Sequence, residues 1–263
     1  PHAPAVVASV VAMSFRCDGL VCLVTGATSG IGRATCLALG AAGSEAIIAV
    51  GRDEARGAAL QAELRDRGWR CTFLARDLRS STACAEVAAA ALSEYGRVDA
   101  LVHAAGVFPT APLGETSEEL WRDTMAVHAD AFFLLCRALA PGMCERGRGS
   151  LLAVASNYGL VGAENCAAYC ASKGAVVALV KALALELAGK GVRVNCICPG
   201  ATQTPMLGSA TEAEAYAKRS PSGELVQPED VAAAAVYLSS PAGRMVRGAA
   251  WLLDGGETAG CRS

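Results

Sequence analysis

Tyr169 and Lys173 stand four residues apart in Tyr169-Cys170-Ala171-Ser172-Lys173, and Ser156 lies upstream. On a helix, that spacing places the phenol and the ammonium on one face about one turn apart. An ordinary tyrosine titrates near pH ~10 and is a sluggish acid or base at neutral pH. A cation roughly 4 Å away, at an effective dielectric of about 20, is worth up to about 4 kcal/mol, or about three pKa units. The pair is therefore a candidate proton donor tuned by the lysine charge. An amphipathic surface helix can carry the same pair without chemistry, so other motifs must decide.

The elements that would position such a pair read in alternation. An apolar run, Leu20 to Val24, leads into Thr25-Gly26-Ala27-Thr28-Ser29-Gly30-Ile31-Gly32 and a helical stretch from Arg33 to Ala42. Strand, glycine turn, helix is the order of a dinucleotide site, in which the backbone approaches a pyrophosphate at the helix N-terminus. Gly26, Thr28, Ser29, Gly30, Ile31 and Gly32 are the candidate contacts.

A second strand, Ala46 to Val50, ends at Gly51-Arg52-Asp53, where the fold reads the adenosine ribose. An acid there takes the 2′-hydroxyl of NAD, whereas an arginine takes the 2′-phosphate of NADP. Arg52 favours NADP; Asp53 keeps NAD open. A third strand, Cys71 to Ala75, runs to Asp77 and Leu78, with Asp77 either beside the adenine or capping the helix from Ser80. A fourth, Ala100 to Val102, enters His103-Ala104-Ala105-Gly106, small enough to pass beside a cofactor. The loop after it, with Pro109 and Pro112, can wall a substrate cleft.

Glu118 to about Met143 reads as one long helix carrying Trp121, His128, Phe132 and Phe133. The strand Ser150 to Ala155 delivers Ser156 to its carboxyl end, where open α/β sheets place their chemistry. The helix of Tyr169 and Lys173 follows, then a strand Val192 to Ile197 closing in Pro199-Gly200. Met206 to Gly223 has no clear period and reads as a lid. A helix Pro228 to Leu238 and a strand Ala249 to Leu253 end the pattern at Asp254-Gly255-Gly256.

Composition bounds the rest. With 263 residues, 53% of them hydrophobic, the chain can bury a large α/β core. A net charge of −2 with no basic run argues against nucleic acid. No stretch supplies the roughly 18 uninterrupted apolar residues of a membrane span, so a soluble, cytoplasmic protein is expected, with organellar import left open. The twelve cysteines sit mostly in apolar runs, where they act as small hydrophobes, and no zinc spacing is present. Reduced thiols and no metal are expected. Residues 1–14 read as an N-terminal extension, a tag remnant or a shortened transit peptide, and 15–263 as one domain.

Thr25-Gly26-x3-Gly30-Ile31-Gly32, Asp77, Ala104-Ala105-Gly106, Ser156, Tyr169-x3-Lys173, Asn195, Pro199-Gly200 and Asp254-Gly255-Gly256 together resemble the short-chain dehydrogenase/reductase family, from about residue 16 to 257. The resemblance implies a Rossmann-type three-layer αβα sandwich with a seven-stranded parallel sheet, assembled as a homotetramer or homodimer. It implies hydride exchange between a nicotinamide and a ketone or secondary alcohol. In that reading Tyr169 transfers the proton, and Ser156 hydrogen-bonds the reacting oxygen. Lys173 holds the nicotinamide ribose and lowers the Tyr169 pKa, and Pro199 to Thr204, including Gly200 and Thr202, frame the carboxamide.

Two residues depart from the family pattern. His103 stands where asparagine is usual, removing a loop-fixing amide that imidazole replaces only in part. His128 stands where relatives often have an asparagine that helps hold a relay water; an imidazole can also donate and accept, so His128 is a candidate for the proton relay. A 3-oxoacyl thioester reductase and a non-catalytic NADP-sensing protein are the rival readings.

Overall fold

Seven apolar runs pair side by side, all parallel, in the order β3-β2-β1-β4-β5-β6-β7. The computed structural model describes residues 15–260, so the expected 1–14 extension and Cys261 lie outside the described residues. In chain order the elements are β1 (Val21–Thr25), α1 (Gly30–Ala41), β2 (Ala46–Gly51), α2 (Glu54–Asp66), β3 (Cys71–Ala75), α3 (Ser81–Tyr95), β4 (Ala100–His103) and α4 (Glu118–Met125). A π-helical turn (Ala126–Asp130) joins α4 to α5 (Ala131–Glu145). Then come β5 (Gly149–Val154), α6 (Ala167–Leu187), β6 (Val192–Pro199), α7 (Ala210–Arg219), α8 (Pro228–Ser239) and β7 (Ala250–Leu253).

β1, β2 and β4 are buried along their whole length, which explains why their sequences are continuous apolar runs rather than alternating ones. One face of the sheet packs Leu23, Ile48 and Leu151 against Phe132, Leu135 and Val180; the other packs Cys22, Val24 and Ile47 against Leu39, Leu64 and Val231. Fully burying a side chain such as Phe132 contributes about 1.5–3 kcal/mol. The two-layer cover makes the expected αβα sandwich. The strand order reverses between β1 and β4, where Thr25 pairs with His103 in register. That opens a crevice at the carboxyl edge, the usual seat of a ligand in such sheets.

The long helix from Glu118 runs on to Glu145 as expected, with one π turn at Ala126–Asp130 inside it, where His128 is 1% exposed. One sequence expectation needs correction. Residues Met206 to Gly223 are not aperiodic throughout, since they contain α7. That helix buries no residue fully; its half-buried face is Ala213, Tyr216 and Ala217, a stripe of one aromatic and two alanines that gives little apolar contrast in the sequence. Its hold is local: a capping box between Ser209 and Glu212, and an i,i+4 ion pair between Glu214 and Lys218 at 2.7 Å.

The stretches 118–145 and 167–190 reach mean hydropathies of 1.2 and 1.5, enough in length and composition to cross a membrane, yet 56% and 44% of those windows are buried inside the fold. Core helices of an α/β layer have this composition. The described cysteines are free, and most lie in the two apolar layers. Cys196 and Cys198 share one face of β6 without a bridge.

Candidate active site

The crevice begins at the glycine turn. Gly26 has φ +66°, and a Cβ there would come within 2.6 Å of the Ala104 carbonyl oxygen; at Gly32 it would come within 2.3 Å of the Gly26 oxygen. Only glycine lets this backbone lie flat against the Ala104-Ala105-Gly106 segment. Ser29, the N-cap of α1, makes no side-chain cap bond, so the helix start presents its N–H groups to the crevice. This is a cradle suited to a pyrophosphate.

At the far end of the crevice, a Cβ on Gly51 would lie 2.5 Å from Thr28 Cγ2. The end of β2 has no room for an acid unless Thr28 moves. Asp53 is already committed: it caps α2 by accepting the Arg56 N–H at 2.9 Å and pairs with the Arg56 guanidinium at 2.7 Å. Arg52 stays 60% exposed, 3.8 Å from Asp77. The reading of Asp77 as a helix cap fails, because Ser80 itself caps α3 through the Ala83 N–H. Asp77 instead pairs with Arg79 at 2.7 Å, and that hydrogen-bonded guanidinium holds its carboxyl below the usual range.

Ser156 stands just past β5, and Tyr169 and Lys173 lie one turn apart on the buried side of α6. The phenol ring is wedged edge-on between Phe108, centroids 4.8 Å apart, and His128, at 5.5 Å. Lys173 Nζ donates to the Val154 carbonyl at 2.9 Å and lies 5.6 Å from the phenol ring centre. Proton affinity here runs opposite to the sequence expectation. Burial pushes the Tyr169 phenol up to about 12, while the Ser156 hydroxyl pulls it the other way. Burial also brings Lys173 down to about 8, with Cys198 and Cys196 opposing. Desolvation is the largest influence on both groups in this arrangement.

Both unusual histidines are buried and locked by hydrogen bonds. His103 Nε2 faces the Val127 carbonyl at 3.0 Å, which can only accept, so this nitrogen carries the proton. Nδ1 then accepts from Thr25 Oγ1 at 3.0 Å, and Thr25 in turn accepts the Ala105 N–H at 3.0 Å. Imidazole thus restores the link between β1, β4 and the loop more completely than the sequence suggested. His128 Nε2 accepts the Val107 N–H at 3.1 Å; its Nδ1 faces Ser172 Oγ at 2.8 Å, and Ser172 donates to the Tyr169 carbonyl at 2.8 Å. Burial lowers His103 to about 4 and His128 well below its ordinary value, so both are neutral.

The residues singled out from the sequence meet in two adjoining cavities. Gly26, Thr28, Ser29, Gly30, Gly32, Arg52, Asp77, Leu78 and Ala105 line the nucleotide-sized one; Ser156, Tyr169, Lys173, His128, Pro199, Gly200 and Thr202 line the other; Ile31, Ala104, Gly106 and Thr204 line both. The loop after Gly106 does wall the cleft, through Phe108. Sequence reasoning missed Asn157, Tyr158, Tyr216, Arg219 and Glu257. Asn157 adjoins Ser156, and Glu257 follows the Asp254-Gly255-Gly256 turn, but only folding brings them together.

Residues 26–258 match the family model described as enoyl-(acyl carrier protein) reductase. The chain is 41% identical over 248 residues to a D-threitol dehydrogenase of Mycolicibacterium smegmatis, covering 93% of this chain and 95% of that protein. It is 36% identical over 256 residues to a D-beta-hydroxybutyrate dehydrogenase of Cupriavidus necator, covering 92% and 99%. Among solved structures, a Beutenbergia cavernae protein provisionally described as an NAD(P)-dependent gluconate 5-dehydrogenase, with NADP at low occupancy, superposes with TM-score 0.87. Its identity is 37%, covering 94% of this chain and 99% of that one. A short-chain type dehydrogenase/reductase from Mycobacterium marinum superposes with TM-score 0.89 at 27% identity, covering 95% and 100%.

Proposed function

Because the chain belongs to the short-chain dehydrogenase/reductase family of NAD(P)-dependent oxidoreductases, we propose that it moves a hydride between NADP and a ketone/secondary-alcohol pair, with Tyr169 as general acid/base. The observation that carries this is the convergence of Ser156, Tyr169 and Lys173 in one cavity, contiguous with the glycine-turn cradle. When bound, the nicotinamide supplies or accepts the hydride. In reduction the Tyr169 phenol gives its proton to the forming alkoxide, while the Ser156 hydroxyl orients that oxygen. Lys173, 5.6 Å from the phenol ring centre, would hold the ribose, and oxidation reverses each role.

NADP is favoured over NAD by three features: the exposed guanidinium of Arg52, held only at 3.8 Å by Asp77, the packing of Gly51 against Thr28, and the engagement of Asp53 with Arg56. We read residues 15–263 as one catalytic domain in a cytoplasmic homodimer or homotetramer. The free thiols support a reducing compartment, and exposed Trp121, Phe133 and Leu185 on the outer helices support assembly.

The 3-oxoacyl thioester reading finds little support around α7, where Lys218 and Arg219 are matched by Glu214 and Glu257 rather than forming a basic landing face. The NADP-sensing reading rested on the two histidines, which are spent on loop-fixing bonds.

Replacing Tyr169 by Phe tests the assignment, with nicotinamide absorbance followed across alcohols and ketones. The expected loss is roughly 10²- to 10⁴-fold in kcat, with NADP binding retained by calorimetry. Unchanged turnover defeats the reading, and NADP binding without turnover by the unaltered protein favours the sensor.

A further inference from the structure

Beyond the catalytic serine the cleft opens into another cavity, with Phe108, Tyr158 and Tyr216 lining both sides of the border. Asn157 and Glu257 span that border. Asn157 begins the turn after Ser156 and is 2% exposed. Its Nδ2 donates to Glu257 Oε2 at 3.0 Å, and its Oδ1 accepts from Ser156 Oγ at 3.2 Å. The amide orientation follows from chemistry, because a carboxylate only accepts and so must face the NH₂ end.

Glu257 comes from the turn after β7, where its N–H bonds the Asp254 carbonyl at 3.1 Å. Its side chain is 17% exposed, and Oε1 lies 3.8 Å from Arg219. Arg219 also reaches the Tyr158 hydroxyl at 3.4 Å.

This arrangement selects a ligand group. Glu257 offers acceptor lone pairs, and Asn157 Nδ2 carries a second hydrogen to donate; a hydroxyl is the group that uses both at once. A carbinol next to the reacting carbon is held one C–C bond away. Asn157 Oδ1 lies 3.2 Å from Ser156 Oγ, so a substrate whose reacting oxygen is held by Ser156 and Tyr169 would present its neighbouring hydroxyl to the Asn157 amide. Charge selects further: the cavity is lined by Glu164, Glu257 and Arg219, two carboxylates against one guanidinium, and Arg219 is already paired with Glu257 at 3.8 Å. An anionic substrate is disfavoured there, and the aromatic walls suit the C–H faces of a neutral chain.

We propose that the substrate is an uncharged polyol, or its keto form, and that Asn157 and Glu257 hold the hydroxyl adjacent to the reacting carbon. This rests on the alcohol/ketone chemistry proposed above and narrows it. A simple alcohol leaves Asn157 and Glu257 bonded to each other and gains nothing, while a hydroxy acid meets the Glu257 charge.

The test compares kcat/KM for butane-2,3-diol, butan-2-ol and 3-hydroxybutyrate, using the full chain with NADP and the variants Glu257→Gln, Asn157→Ala and Arg219→Ala. The diol is expected to exceed the other two by roughly ten- to hundredfold. In Glu257→Gln the diol/monoalcohol ratio falls to about one, mainly through the diol KM. Calorimetric NADP binding shows that each variant is folded. Equal diol and monoalcohol rates in the unaltered protein overturn the proposal, as does a diol preference that survives in both Glu257→Gln and Asn157→Ala. Preference for 3-hydroxybutyrate that is lost in Arg219→Ala also overturns it. Turnover that Tyr169→Phe abolishes but that shows no diol preference refutes the polyol alone; no turnover of any alcohol refutes the oxidoreductase reading with it.

Discussion

His128 binds the Val107 N–H through Nε2 at 3.1 Å, and this one contact decides the tautomer of a residue packed edge-on against the catalytic phenol. With Nε2 accepting, Nδ1 carries the proton and donates a hydrogen bond to Ser172 Oγ, which donates in turn to the Tyr169 carbonyl. The imidazole ties the loop, the π turn and α6 together. Gly106 completes the fit, since a Cβ there would lie 2.8 Å from Nε2.

His128→Ala should therefore leave the half-buried Val107 N–H without its partner, which costs about 1–3 kcal/mol. Nucleotide Kd rises and kcat/KM falls roughly ten- to hundredfold. His128→Asn, which can accept and donate across the same gap, should recover most of the loss with an unchanged pH profile. A shifted profile with unchanged nucleotide affinity would instead mark the imidazole as a proton carrier.

His103 makes stability depend on pH. Its folded pKa of about 4 lies below the ordinary value of 6.5, so the unfolded chain binds the extra proton. The contribution is full above about pH 6.5 and is lost as pH falls towards 4. By linkage this amounts to about 2 kcal/mol between pH 7 and pH 5. Urea midpoints at the two pH values check it, and His103→Asn should flatten the difference.

Cofactor choice should follow Arg52. Its replacement by alanine removes a charge-assisted contact worth about 1.5–3 kcal/mol, raising the NADP KM roughly ten- to hundredfold while the NAD KM changes little. Gly51→Asp alone should not install NAD preference, because Thr28 Cγ2 occupies the Cβ position at 2.5 Å; it needs Thr28 reduced to glycine or alanine as well. Initial rates with both nucleotides decide.

Carbonyl reduction should decline above about pH 8. Tyr169 keeps its proton to about 12, so the limb belongs to Lys173, whose ammonium burial has brought to about 8. A kcat/KM profile that stays flat to pH 9.5 would show that Lys173 keeps its charge.

Ser209→Ala removes the capping box that starts α7, at about 1 kcal/mol. Because Tyr216 and Arg219 of that helix line the cleft, substrate KM should rise several-fold with kcat little altered. Equal changes in both would place α7 in the chemistry itself.

The amino-acid order alone carried the alternation of strands and helices, the glycine turn, and the Ser156, Tyr169 and Lys173 set, because these depend on local backbone freedom and fixed spacing. β3 was read residue for residue, and the ends of β1, β5 and β7 moved by one position. α7 was hard to read because its inward face is only Ala213, Tyr216 and Ala217, where two alanines give little apolar contrast, and much of its hold is a capping box and an ion pair. The π turn was hidden because Ala126 to Asp130 keep helical dihedrals at both ends and an unbroken helical pattern in sequence. Proton affinities belonged to the folded state as well: spacing says that Tyr169 and Lys173 are near, but burial and the Val154 carbonyl decide that the phenol rises and the ammonium falls. Asn157 and Glu257, separated by 100 positions, meet only because parallel strands bring their carboxyl ends to one edge, a relationship that no local pattern encodes.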